Sequence, residues 1–175
     1  YDNLGAILQD QGRTKEAKIY VEKSIDLQPR LQSYLNLASI LISLSDRHKA
    51  EFFILKALEF DIESKEANYK MGNIKKDSKD FEQACSYYKK ALFNSDDPRI
   101  KVELINTLSE ASDYQSLDEF LPELRHLGLE GKSVDPFKLI HLEDSPINEL
   151  KRAKNFYNQN FRRQANQLKY IKKKK

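Results

Sequence analysis

Small residues recur at fixed intervals among the hydrophobic positions of the first 95 residues. Three sets share an internal spacing of twelve and then seven residues, and successive sets are offset by 33 and then 34 residues. Each set is flanked in register by larger apolar residues, which fill the space that the small ones leave. A period near 34 predicts a solenoid of helix-turn-helix repeats, with small residues where two helices approach closely. The three sets are Gly5, Ala17 and Ser24; Ala38, Ala50 and Ala57; and Gly72, Ala84 and Ala91.

Within each period the apolar pattern predicts two helices joined by a polar turn. In the first period we expect helices over residues 1–11 and about 15–27, with Thr14 as N-cap of the second helix and Pro29 as its stop. Tyr1 already occupies the first aromatic position of a repeat, which indicates a piece of a longer chain. The predicted repeats cover about 1–30, 31–63 and 64–97.

A fourth unit keeps the apolar helix pattern but loses the small residues. Asn106 and Asp118 stand where glycine or alanine is expected, while Leu104, Leu108 and Leu117 still favour a helix pair. Terminal repeats are atypical because one face lacks a neighbour. We therefore interpret residues 98–127 as a degenerate, capping repeat, so that the predicted repeat array covers 1–127.

Residues 128–175 read as a connector. After a stretch without periodicity, Ser145 is expected to cap a helix over about 146–163, with Pro146 at its first position. An apolar stripe along this helix predicts that the helix packs on its neighbours through its apolar side. The stripe consists of Ile147, Leu150, Ala153, Tyr157 and Phe161. A basic tail follows the helix and ends the sequence.

The excess of positive charge is concentrated at the C-terminal end of the chain. The formal net charge is +3, yet seven of the 30 basic residues fall in the last fourteen positions, which contain no acid. The rest of the chain carries 23 basic and 27 acidic residues. Any electrostatic argument for nucleic acid therefore applies only to the tail, where Tyr170 alone could stack on a base.

The composition argues against catalysis, metal binding and membrane insertion. No apolar run reaches about 18 residues. The single cysteine, Cys85, indicates no internal disulfide, which favours a cytoplasmic protein. The three histidines are far apart, and no glycine-rich phosphate loop or nucleophile elbow is present. We expect no cofactor, no metal and no enzymatic activity in this chain.

The repeats resemble tetratricopeptide repeats. The first copy carries that family's pattern as Tyr1, Leu4-Gly5, Leu8, Ala17, Val21 and Pro29, and the next two copies follow it without the closing proline. The resemblance implies an all-α, right-handed superhelix, an α-solenoid whose concave face binds proteins or peptides.

On that face the resemblance implies a set of polar and small residues on the first helices. Asn3 and Asn36 each lie two residues before the small position, as in the asparagine ladder of O-GlcNAc transferases, which holds a peptide backbone. Lys70 replaces the asparagine in the third repeat. A solvated polar position is the alternative interpretation of the pair. The other expected concave residues are Ala6, Gln9, Ser39, Ser43, Asn73 and Lys76.

The connector is similar to the one that joins repeats to the glycosyltransferase half in bacterial O-GlcNAc-transferase-like (SPINDLY-type) proteins. The similar residues begin at Asp135-Pro136-Phe137 and run through Ser145-Pro146 to Tyr157. The resemblance implies a substrate-recruiting arm whose intramolecular partner, a C-terminal catalytic domain, would follow Lys175. A free-standing adaptor without an enzyme is the alternative. The lysine run 172–175 has three interpretations, a solvated interdomain segment, a patch for nucleic acid or an anionic surface, or an import signal.

Overall fold

The computed structural model describes residues 1–93 and 95–162, and over these residues the protein is all-helical, with no strand. The predicted all-α fold of helix-turn-helix repeats is confirmed. The tail from residue 163 onward, including the lysine run, lies outside the described residues. The helices are α1 (Asp2–Asp10), α2 (Thr14–Leu27), α3 (Leu31–Ser43), α4 (Arg47–Phe60), α5 (Lys65–Asp77), α6 (Phe81–Leu92), α7 (Pro98–Glu110), α8 (Tyr114–Leu124), a 3-10 turn (Pro136–Lys138) and α9 (Pro146–Asn160).

The helices fall into two compact units. The N-terminal unit, Tyr1–Ser95, holds α1 to α6, and the C-terminal unit, Asp96–Lys175, holds α7 to α9. In the N-terminal unit, α1 packs on α2, α3 on α4 and α5 on α6, and α2 and α4 each pack on the first helix of the next pair. The boundary predicted between a repeat array and a connector at residues 127 and 128 stays a prediction.

The turn inside each helix pair has one geometry, repeated in register. Gly12, Ser45 and Lys79 adopt positive φ values of 76°, 63° and 62°, and Ser112 of the C-terminal unit adopts 57°. The next residue donates its backbone N–H to a carbonyl five residues earlier, at 2.8 to 3.0 Å. In three of the four turns that residue is an aspartate whose side chain caps the second helix. The turn therefore persists in the fourth unit although the small residues do not.

The two glycines of the repeat frame lie at close helix contacts. A Cβ on Gly5 would come within 2.4 Å of Val21 Cγ2, and one on Gly72 within 2.5 Å of Tyr88 Cε1. The first and second helices of a pair could not approach this closely around a larger residue. Ser24 is half-buried. The alanines of the frame are all buried: Ala17, Ala38, Ala50, Ala57, Ala84 and Ala91.

In the C-terminal unit, α7 and α8 pair around a leucine-rich core. Leu104, Leu108, Leu117 and Leu124 are buried there. Asp97 is buried at the N-cap of α7, where it accepts hydrogen bonds from the Arg99 backbone N–H and guanidinium. The hydrogen bonds from Arg99 hold the pKa of Asp97 far below its usual range, because they favour the ionised carboxylate.

Helix α9 docks through its polar side, so the predicted packing on the apolar side is wrong. Arg152 is the only residue of α9 that is buried, at 1% exposed. Its Nε donates to Leu127 O and its Nη2 to Leu124 O, both at 2.8 Å, while Nη1 forms an ion pair with Glu143. Asn155 and Gln159 extend the contact to Gly128 O and Gly131 O. These donors satisfy carbonyls at and beyond the end of α8, which apolar side chains cannot do.

The apolar residues of α9 accordingly face away from that contact. Ile147, Leu150, Tyr157 and Phe161 are exposed, and so is Ala153. The helix ends at Asn160 rather than 163. Two smaller predictions also differ from the structure, since α1 covers Asp2–Asp10 and the N-cap of α2 is Arg13, with Thr14 already inside the helix.

Candidate functional site

The residues expected on the binding surface lie along the first helices of the three pairs, α1, α3 and α5. Asn3 is exposed on α1 and Asn36 is half-buried on α3. The side chain of Asn36 accepts a hydrogen bond at Oδ1 from Gln32 Nε2, at 3.0 Å. An amide offers two donors as well as the acceptor, so Asn36 keeps the chemistry needed to pair with a peptide group. Ala6 is exposed and Gln9 half-buried, both one turn along α1.

Hydrogen bonds join the first helices of neighbouring pairs across this surface. Ser33 Oγ donates to Asp2 Oδ2 at 2.6 Å, and Lys70 Nζ donates to Ser39 Oγ at 2.7 Å. Both bonds join residues 31 apart in sequence. Each bond links two successive first helices, the helices on which the expected binding residues lie.

Lys70, which interrupts the asparagine pair, is thus part of the same surface. Its ammonium group lies 2.7 Å from Ser39 Oγ and 3.5 Å from Glu66 Oε1. Ser39 also donates to Leu35 O, and Ser43, one turn on, donates to Ser39 O at 3.1 Å. The third repeat therefore contributes a cation, held by a serine and a glutamate, where the first two contribute amides.

Asn73 differs from the other expected residues because its side chain is engaged within its own helix pair. The buried Tyr88 of α6 donates its hydroxyl proton to Asn73 Oδ1 at 2.7 Å. Asn73 is half-buried, as is Lys76. The sequence positions of Asn73 and Tyr88 did not indicate that Asn73 supports the contact between α5 and α6.

Ion pairs between α4 and α5 stabilise the contact between the second and third repeats. Lys75 Nζ lies 2.6 Å from Glu51 Oε1, and this hydrogen bond raises the pKa of Lys75. Arg47 and Asp77 form a more exposed pair at 3.1 Å. These ion pairs add to the apolar core that already packs α4 against α5.

The links Asp2–Ser33 and Ser39–Lys70 were not predicted from the sequence. The sequence does carry a signal for them, because each pair places a hydrogen-bond donor and an acceptor 31 residues apart on successive first helices. The role of Asn68, which takes the place of Tyr1 and Tyr34 in the third repeat, was not predicted either. Asn68 is buried and donates from Nδ2 to Ile62 O and Ser64 O, which ties down the α4–α5 loop.

The described part of the chain offers little for other kinds of site. No group of three or more His, Cys, Asp or Glu side chains that could hold a metal ion occurs among residues 1–93 and 95–162. No helix within those residues is long and apolar enough to span a bilayer. The C-terminal unit has a cleft of about 980 Å³ between α8 and the start of α9, lined by charged residues such as Asp118, Arg125 and Glu143.

Comparison with protein families identifies the repeats. The family model for the tetratricopeptide repeat matches residues 1–30, 31–61 and 65–92, which together make up about half of the chain. The matched segments coincide with the pairs α1–α2, α3–α4 and α5–α6. No curated protein matches the chain over its sequence.

Proposed function

The chain belongs to the tetratricopeptide repeat family, and from that membership we propose that it is a scaffold that binds a protein or peptide along α1, α3 and α5. The observation that carries the proposal is the run of three consecutive repeats, since stacked repeats of this kind form extended concave surfaces for partners. The repeats bind and position a partner, and they do not themselves perform chemistry.

The chemistry of the surface favours an extended peptide as the ligand. The amides of Asn3 and Asn36 can each pair with a backbone N–H and C=O of the peptide. Hydrogen bonds such as Ser33–Asp2 hold the helices that carry them, which lowers the entropy lost on binding. Lys70, on the third repeat, adds a cation and favours an acidic side chain at one end of the peptide.

Selection from a displayed random-peptide library tests the surface directly. Peptides that bind the full chain should lose at least about tenfold in affinity when Asn3→Ala and Asn36→Ala are combined, because several hydrogen bonds to the peptide are removed. Asn158→Ala on α9 is the matched control, since Asn158 is exposed and lies outside the repeats. Equal affinity for the double variant and the control would refute the assignment of the surface.

We further propose that the scaffold is the substrate-recruiting arm of a larger O-GlcNAc-transferase-like glycosyltransferase. Two sequence features support this: the asparagine pair, and the resemblance of the segment from Asp135 to Tyr157 to the connector of bacterial SPINDLY-type proteins. In this arrangement the arm captures a protein substrate and the catalytic domain that follows modifies it.

Reading the gene beyond the codon for Lys175 separates the arm from a free-standing adaptor. If the reading frame continues into several hundred residues with alternating strand and helix patterns, the full-length protein should transfer sugar from a sugar nucleotide to peptides selected on the repeats. A stop codon directly after Lys175 would refute the transferase arm. The adaptor function, with the same binding surface, would then stand.

A further inference from the structure

The apolar stripe of α9 is exposed along its whole length. Its four large members recur at the spacing of one helix face, opposite to the side on which Arg152 is buried. The contacts that hold α9 in the C-terminal unit are made by that other side, and they leave the stripe uncovered. The large members are Ile147 at 70% exposed, Leu150 at 55%, Tyr157 at 49% and Phe161, at the C-cap, at 46%.

Positive charge borders the stripe. Lys151 and Lys154 are exposed on α9, and Arg162 is exposed just past its end. Glu149 is the single acidic residue of α9, and it is half-buried. Residues 150–175 contain no acidic residue. The exposed side of α9 therefore combines apolar side chains with cations, and the surface complementary to it is apolar inside and negatively charged outside.

We propose that the stripe is a docking surface for an anionic lipid bilayer, on which α9 lies parallel to the membrane plane. With 15 residues α9 is shorter than the roughly 20 that cross a bilayer. An amphipathic helix with lysines beside its apolar side instead buries that side at the boundary between headgroups and acyl chains. The ring of Tyr157 suits this boundary, because its body is apolar and its hydroxyl polar. The stem of Lys154 can extend along the stripe and place its ammonium group among the phosphates.

A second copy of the chain fits the stripe less well. Two α9 helices that pack through their stripes would bring Lys151 and Lys154 of one copy close to the same lysines of the other. Like charges at short distance repel, and Glu149 alone cannot offset them in each copy. An anionic bilayer supplies the negative charge that a second copy lacks. The proposal is independent of the peptide-binding function, because α9 belongs to the C-terminal unit.

Cosedimentation of the full chain with lipid vesicles tests the proposal. We expect binding to vesicles of phosphatidylcholine and phosphatidylserine in equal amounts, and at least about tenfold weaker binding to phosphatidylcholine alone. Ile147→Gln with Leu150→Gln should weaken binding to the anionic vesicles at least about tenfold, because it removes half of the large apolar side chains that enter the bilayer. The matched control is Ile19→Gln with Leu55→Gln, which changes two exposed apolar residues of α2 and α4 and should leave binding within about twofold.

A second pair of variants tests the charges. Lys151→Gln with Lys154→Gln should weaken binding to the anionic vesicles roughly tenfold. Lys15→Gln with Lys89→Gln is the control, because it removes the same charge from exposed positions of α2 and α6. All these variants keep the sequence after Arg162, so the basic tail contributes equally to each. Failure of the full chain to bind anionic vesicles, or α9 variants that bind as tightly as their controls, would overturn the proposal.

A fluorescent reporter locates the stripe in the bilayer. The chain contains no tryptophan, so Tyr157→Trp places a single indole on the stripe. We expect brominated lipids in the anionic vesicles to quench its fluorescence. Phe52→Trp, at an exposed position of α4, is the control that should stay unquenched. Equal quenching of the two reporters would overturn the proposal.

Sedimentation of the chain without lipid separates the other occupant. A monomer over the accessible concentration range agrees with the proposal. A dimer that Ile147→Gln with Leu150→Gln abolishes would overturn it and assign the stripe to a second copy.

Discussion

Replacing Arg152 with methionine should detach α9 from the C-terminal unit. Methionine is of similar length but removes all the donors of the guanidinium. It leaves Leu124 O and Leu127 O without Arg152 as donor, and it leaves the carboxylate of Glu143 without its cation. Glu143 keeps one hydrogen bond, from Asn148 Nδ2 at 2.6 Å.

The cost follows from burial, because Arg152 is 1% and the Glu143 side chain 10% exposed. Removing one member of a buried ion pair costs about 3–5 kcal/mol. The loss of the two hydrogen bonds to the carbonyls is included in that range. A chain of this size loses roughly 2–4 °C of melting temperature per kcal/mol, so we expect the melting temperature to fall by roughly 6–20 °C if α9 unfolds together with its unit. If α9 detaches first, the loss appears as fast hydrogen exchange confined to residues 146–160.

Thermal denaturation and hydrogen exchange therefore have to be measured together. Lys151→Met is the matched control, because Lys151 is the exposed neighbour of Arg152 on the same helix. Combining Arg152→Met with Glu143→Gln should recover at least about 1 kcal/mol, since it removes the uncompensated charge and keeps an acceptor for Asn148. If Arg152→Met and Lys151→Met give the same stability and the same hydrogen exchange in α9, then Arg152 does not anchor α9 to the C-terminal unit.

Three further predictions concern the repeat frame, the turns and acid stability. Gly72→Ala should destabilise the chain by about 1–3 kcal/mol in urea unfolding, because its Cβ would overlap Tyr88; a loss no larger than that of the exposed Ala153→Leu would contradict the close contact. Lys79→Gly should stabilise the chain by about 0.5–1 kcal/mol and Gly12→Ala should destabilise it by about 1 kcal/mol, because both positions have positive φ. Effects of the opposite sign would show that positive φ does not strain the turns. Asp97→Asn should lower the free energy of unfolding by about 1 kcal/mol near neutral pH. The pKa of Asp97 is lower in the folded than in the unfolded chain. The stability difference between wild type and variant should therefore shrink as the pH falls below about 4, where the unfolded carboxylate takes up its proton. A difference between the two chains that does not depend on pH would refute the role of the carboxylate.

The repeat architecture could be predicted from sequence because its determinants are local and repeated. Each glycine of the frame meets a side chain sixteen residues later in the chain, as Gly5 meets Val21 and Gly72 meets Tyr88. Asp46 and Asp80 cap their helices at equivalent positions of the second and third repeats. The turn period extends to Asp113, which shows that the fourth unit retains one repeat feature after losing the small residues.

The packing of α9 could not be predicted from its own pattern. An apolar stripe indicates a buried face only when the neighbouring surface is apolar, and α9 instead lies against backbone carbonyls 25 to 28 residues earlier in the chain. Those groups carry no signal in the side-chain sequence. Asn73 could be assigned to the expected binding surface from its register, but its bond with Tyr88 could not be predicted, because that bond depends on how closely α5 and α6 approach. The binding-surface residues as a set remain predictions.

Mapping a bound peptide onto the chain shows whether α1, α3 and α5 form the binding surface. A peptide selected on the full chain should be titrated into isotope-labelled protein, with backbone amide shifts followed by nuclear magnetic resonance. We expect the largest shifts to cluster on α1, α3 and α5, around Asn3, Asn36 and Lys70. Shifts confined to α2, α4 and α6, or to the C-terminal unit, would contradict it.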